Sequence, residues 1–153
     1  MKAKGWLSEE VYRILLKNSP IPTADFILVR KGESEMREFL LTNRTENPYK
    51  GRWFVTGGRI FKDERMHVAV RRIMFRELGV SGGEIQFIGC QDVLNPPKLG
   101  VYWHSIWHLH IVIVDYDVMF RLNSENAAVK WFTSINPRWP TPVKKALAMA
   151  GFK

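Results

Sequence analysis

The sequence predicts an α/β (α+β) sandwich, a sheet covered by helices on both faces. Three observations predict it. Segments of helical periodicity alternate with β-rich runs in the order helix, strands, helix, strands, helix. The chain has 153 residues, 46% hydrophobic and 25% charged, which suits one domain with a sizeable core. No internal repeat, low-complexity tract or linker interrupts it, so residues 1–153 read as a single domain.

The elements follow in order. Ser8 with Glu9 and Glu10 makes a helix start, and Val11, Ile14 and Leu15 carry a helix to about Asn18. Ser19-Pro20-Ile21-Pro22 ends it, because proline lacks the amide donor that a helix needs. Ala24 to Arg30 and Glu38 to Asn43 read as paired strands, with Lys31 to Glu35 as the turn between them. Asn47 to Gly51 is a loop, and Arg52 to Val55 a short strand leading to Gly57-Gly58. That glycine pair suits a tight turn with close backbone approach to a ligand. Asp63 is placed to cap a helix from about Glu64 to Leu78, which Gly79 terminates. Ile85 to Asp92 and Ser105 to Val114 read as buried strands around a mobile loop, Asn95 to Gly100. Ala128 to Phe132 is a further strand and Pro142 to Ala150 a closing helix.

Composition narrows the function classes. The most apolar run, Ile106 to Val114, is too short to cross a bilayer and contains His108 and His110, so no membrane role is expected. Lys2 and Lys4 are followed by Glu9, Glu10 and Arg13, which does not read as a signal peptide. Cys90 is the lone cysteine and predicts a reducing, cytoplasmic setting. The formal net charge of +8 fits either attraction to a polyanion or simple solubility. No Lys/Arg block of five or more residues is present, which argues against nucleic acid as the partner.

The chemistry concentrates in the second helix. Met66, Val70 and Ile73 form one apolar stripe, and Glu77 continues it four residues on. A carboxylate on a core-facing stripe is costly unless it is paired or binds a metal. Alternatively, Glu77 lies where the stripe already reaches solvent at the helix end. Glu64 and Arg72 lie two turns apart and suit an ion pair. Arg44, Arg52, Arg59, Arg72 and Arg76 cluster in and before this segment, and arginine grips phosphate oxygens through parallel hydrogen bonds.

Gly58, Glu64, Arg72, Met74, Glu77, Gly79 and Val80 fall in register with the Nudix box. That pattern is Gly, five residues, Glu, seven residues, then Arg-Glu-apolar-any-Glu-Glu-any-Gly-apolar. Ile73 and Arg76 stand where two of its glutamates would be. The chain therefore resembles the Nudix hydrolase family with a degenerate box, which implies an α/β/α sandwich with a mixed central sheet. Within that family, Asn43 to Arg59, Leu7 to Val29 and Arg76-Glu77-Leu78-Gly79 resemble the GDP-mannose mannosyl hydrolase branch. That branch also lacks those two glutamates and keeps the last.

The resemblance implies a metal set of Gly57 (through its carbonyl), Glu77 and Glu125, suited to magnesium or manganese. It implies substrate contacts at Asp25, Arg44, Arg59 and Arg72, with Arg44, Arg59, Glu77 and Glu125 as the catalytic group. The implied activity is hydrolysis of a nucleoside diphosphate sugar, GDP-mannose-like, to nucleoside diphosphate and free sugar, and the implied assembly a homodimer. At the position of the branch's general-base histidine stands Asn126, which leaves Glu125, His104, His108 or His110 to take a proton. His108 and His110 share one strand face, where packing is the alternative role. Two other functions stay open: a Nudix pyrophosphohydrolase attacking phosphorus of another nucleoside diphosphate derivative, and a catalytically weak module binding nucleotide or RNA.

Overall fold

The computed structural model describes residues 5–98 and 101–153, with side chains for all of these except 96–98 and 101–102. Its elements are α1 (Glu9–Asn18), β1 (Ile21–Lys31), β2 (Arg37–Arg44), β3 (Trp53–Phe54), β4 (Thr56–Arg59), α2 (Met66–Leu78), β5 (Glu84–Lys98), β6 (Val101–Ile113), β7 (Asn126–Phe132) and α3 (Thr141–Met149). The seven strands form one mixed sheet, as the sequence predicts.

β1 organises that sheet. Its residues 21–29 run parallel to 105–113 of β6. On its other edge β4 pairs antiparallel through 23–26 and β2 through 29–31. β2 carries β3 and β7, and β5 forms the outer strand beside β6. Side chains of β1 alternate between two cores, as the two-residue period of a strand demands. Ala24, Phe26 and Leu28 pack with Ala69, Val70, Ile73, Met74 and Leu78 of α2. Ile27 and Val29 point the other way, into a core completed by Val143, Ala146 and Leu147 of α3. Thr23 and Asp25 share the parity of Ile27, so they belong to the α3 side of the sheet.

Ser8 caps α1 as its position suggests, its hydroxyl accepting from the Val11 amide at 3.3 Å. Gly79 ends α2 in the left-handed conformation, φ 71°. Its backbone is close to Arg121, whose own Cβ would lie 2.9 Å from an added Cβ, so both conformation and space call for glycine.

Three expectations change. The second helix starts at Met66, and Asp63 does not cap it: Asp63 has a left-handed φ of 65° and its exposed carboxylate pairs with Lys62. Glu64 holds the helix entry instead, accepting from the Phe61 amide at 2.9 Å. The loop predicted over Asn95 to Gly100 is strand on both sides, with Lys98 opposite Val101; residues 99 and 100 lie outside the described part. Likewise Lys2 and Lys4, on which the reading of the N-terminus rested, lie outside it. Thirdly, Gly57 and Gly58 lie within β4 rather than in a tight turn, opposite Asp25 and Ala24. What calls for glycine at position 57 is the neighbouring strand: a Cβ there would overlap the Asp25 carboxyl.

Candidate functional site

On the α3 side of the sheet, where Thr23 and Asp25 replace the apolar residues of β1, a cleft of about 430 Å³ opens. This size and its mixture of rings and polar groups are those of a small-molecule site. Aromatic rings form much of its wall. Tyr49 stacks on Phe54 at 4.6 Å, and Phe54 meets Trp107 edge-on at 5.6 Å. Trp6 and Tyr12 close the cleft from the N-terminal side.

Four arginines line it: Arg44, Arg59, Arg72 and Arg76. Arg44, at the end of β2, donates from Nε to the Pro48 carbonyl at 2.9 Å. Arg59, at the end of β4, donates to the Gly5 carbonyl and lies 4.9 Å from the Phe61 ring. Arg72 makes a two-armed pair with Glu64, at 2.7 and 2.9 Å, and a third hydrogen bond to the Arg59 carbonyl at 3.0 Å. Its guanidinium also stacks on Phe61 at 3.7 Å. The Glu64–Arg72 pair predicted from spacing therefore forms, and it braces the turn before α2 against the helix. Arg52 points away, its Nη2 donating to the Arg138 carbonyl at 3.1 Å.

The acidic groups lie close behind. Asp25 is 5% exposed on the cleft floor and accepts from the Thr23 hydroxyl. Burial pushes its carboxyl up to about 8; the Thr23 hydrogen bond and Arg44 pull against this, while the Glu77 charge adds to it. At neutral pH Asp25 thus holds a proton and can donate a hydrogen bond. Glu77 is 4% exposed, which decides between the two readings of its stripe: the carboxylate is buried and paired. Its Oε1 accepts from Arg76 Nη2 at 2.7 Å and its Oε2 from Asn126 Nδ2 at 3.3 Å. Burial and the charge of Glu125 hold Glu77 above the usual carboxylate range, against the pull of Arg76 and Asn126.

Glu125 is at the cleft surface, 3.7 Å from the same Arg76 Nη2. Ile73, at one of the replaced glutamate positions, is fully buried in the α2 core; a Cβ on Gly58 would lie 3.2 Å from its Cδ1. Glu77 and Glu125 thus both face Arg76, which stands at the other replaced position beside Gly58.

Glu77 and Glu125 are oxygen donors of the type a divalent cation takes, and the cleft beside Glu125 leaves room for water. Among the described residues no three His, Cys, Asp or Glu side chains gather at metal-binding distance, so the set offers no all-protein cage.

The histidines considered as proton acceptors do not reach the cleft. His108 and His110 pair across from Ala24 and Phe26, on the α2 side of the sheet, opposite Asp25 and Trp107. His110 is buried against Phe87, and burial lowers its pKa. His108 Nδ1 lies 3.0 Å from the Thr23 carbonyl, and His104 pairs with exposed Asp92 at 2.9 Å. Asn126 is the residue whose role sequence reasoning missed: it orients Glu77. Nor did any spacing place Trp6 and Tyr12 on the cleft, since only folding brings α1 there.

Comparisons with known proteins agree with this architecture. The NUDIX domain family profile matches residues 20–146. A MutT NUDIX hydrolase from Burkholderia pseudomallei superposes with a TM-score of 0.71 at 20% identity, covering 86% of this chain and 98% of that one. The NUDIX domain of Shewanella oneidensis NrtR, crystallised with ADP ribose, gives 0.66 at 18% identity, covering 95% and 97%. In sequence, the low-salt glycan biosynthesis protein Agl8 of Haloferax volcanii is 29% identical over 98 residues, 64% of this chain. The match spans about half of that relative, 53% of its length.

Proposed function

The chain belongs to the NUDIX domain family, and from that premise we propose that it hydrolyses a nucleoside diphosphate sugar, GDP-mannose-like, with water attacking the sugar carbon. The products are nucleoside diphosphate and free sugar. One observation carries this reading: of the box's three helix glutamates only Glu77 is kept, and it is buried beside a cleft walled by arginines and rings. Attack at phosphorus draws on several clustered carboxylates to position metal and water. Departure of a diphosphate from carbon chiefly needs its negative charge stabilised.

Arg44 and Arg59 face the cleft and supply that positive field, while Arg72, braced by Glu64, keeps the loop before α2 in place. The aromatic wall takes the base or sugar faces by stacking. Protonated Asp25 donates a hydrogen bond to a sugar hydroxyl, and Glu125, at the cleft surface, accepts the proton of the attacking water. Magnesium or manganese held by Glu77, Glu125 and the Gly57 carbonyl would supply further charge neutralisation of the diphosphate. The glycan biosynthesis role in the name of the Haloferax relative supports sugar chemistry as the field. We place the single domain in a reducing, cytoplasmic setting and expect a homodimer.

The ADP-ribose complex of the Shewanella domain favours a second reading, a nucleotide-binding module without turnover. A panel of nucleoside diphosphate sugars turned over with magnesium in heavy-oxygen water tests both. Label in the free sugar is the expected result. Label in a phosphate product overturns attack at carbon, and binding without turnover favours the module.

A further inference from the structure

Arg76 stands where the box would place a glutamate, and its guanidinium lies between the two remaining acids. Nη2 is 2.7 Å from Glu77 Oε1 and 3.7 Å from Glu125 Oε1. A Cβ on Gly58 would lie 3.8 Å from the same nitrogen. The guanidinium therefore occupies the space between the two carboxylates, beside Gly58. A divalent cation bridging both carboxylates would take the place Nη2 holds between them, and two cations that close repel, so the guanidinium has to move aside.

The arginine has somewhere to go. Its Nε is buried with no hydrogen-bond partner, its side chain lines the cleft, and the Trp6 ring lies 5.1 Å from its Cζ. A buried guanidinium nitrogen without an acceptor is an unmet demand that a phosphate oxygen would fill. We propose that Arg76 is a built-in counter-cation that competes with divalent metal for Glu77 and Glu125, and that it turns to the diphosphate when metal enters. Metal binding to the free protein is then weak, and substrate and metal bind cooperatively, since the diphosphate draws Arg76 off the carboxylates. The inference rests on the metal reading above for the identity of the two carboxylates, not on the reaction catalysed.

Manganese binding followed by electron paramagnetic resonance tests it, with manganese alone and then with added GDP, on the full chain. Removing the competing charge in Arg76→Gln should tighten manganese binding by roughly tenfold or more. Arg76→Lys, which keeps a charge on a flexible stem, should stay near the parent. GDP should tighten manganese binding to the parent much more than to Arg76→Gln. Unchanged or weaker manganese binding in Arg76→Gln, with its thermal melt intact, overturns the proposal. If Arg76→Gln melts early, Arg76→Met, which keeps the stem beside Trp6, replaces it under the same criterion. Glu77→Gln separates the two readings. Should manganese binding be indifferent to it, the metal site itself is elsewhere; should it fall while Arg76→Gln has no effect, the metal site stands and the competition fails.

Discussion

Asp25 and Glu77 are two carboxyls that the fold takes out of water, one on each side of the β1–β4 pairing. Asp25 has a folded-state pKa raised to about 8 from an ordinary 3.8. The folded protein therefore holds a proton that the unfolded chain releases, and stability falls with rising pH wherever the two differ. Below 3.8 both states are protonated and burial carries no ionisation penalty; the penalty grows from there to about 8 and then levels off. Asp25→Asn is expected to gain on the parent in unfolding free energy as pH rises through this window, read by urea denaturation at several pH values. A difference between variant and parent that stays flat with pH would show that Asp25 is not held protonated. At the same scale, the sequence made Glu77 readable as a candidate through its box register but could not say whether it was buried. The stripe runs to the helix end, and only packing against β4 and Asn126 decides the exposure there.

The loop between β4 and α2 is held by side chains rather than by a helix cap. Glu64 reaches back to the Phe61 amide and forward to Arg72, while Arg72 also holds the Arg59 carbonyl. Glu64 is 11% exposed and Arg72 25%, so this pair is shielded from solvent more than a surface bridge is. Glu64→Gln is expected to cost about 1.5–3 kcal/mol, the range for hydrogen bonds to charged groups. The urea midpoint should fall with an unchanged slope. Because Arg72 ties this loop to the Arg59 carbonyl at the end of β4, the same variant should raise KM more than it lowers kcat; equal stability to the parent would remove the bracing role. The pair was legible as two opposite charges in the box register, but a helical path of eight residues would hold them about 12 Å apart; they meet because Glu64 lies in the turn before α2. The N-terminus of α2 was not: Asp63 has the residue type of a cap, but its backbone takes the left-handed conformation and its carboxylate faces solvent beside Lys62.

Over the whole molecule, 23 Lys and Arg against 15 Asp and Glu give a field that attracts anions. With four arginines on the cleft, KM for a nucleoside diphosphate sugar should rise several-fold between ionic strengths of about 0.01 M and 0.15 M. A KM independent of salt would show that the arginines are spent on internal contacts, as Arg72 already is. The sequence by itself determined the order of elements, a sheet covered on both faces and the register of the box, because periodicity and glycine spacing are local signals; the mixed sheet followed from the family resemblance. The sequence also marked Glu77 and the arginine cluster. Only the tertiary structure decided which face of the sheet carries the cleft, and with it the exclusion of His108 and His110. A strand's alternation says which residues share a side, not which side is left open. The tertiary structure likewise put Arg76 between Glu77 and Glu125, which lie 48 positions apart in chain order, a meeting that no local spacing encodes.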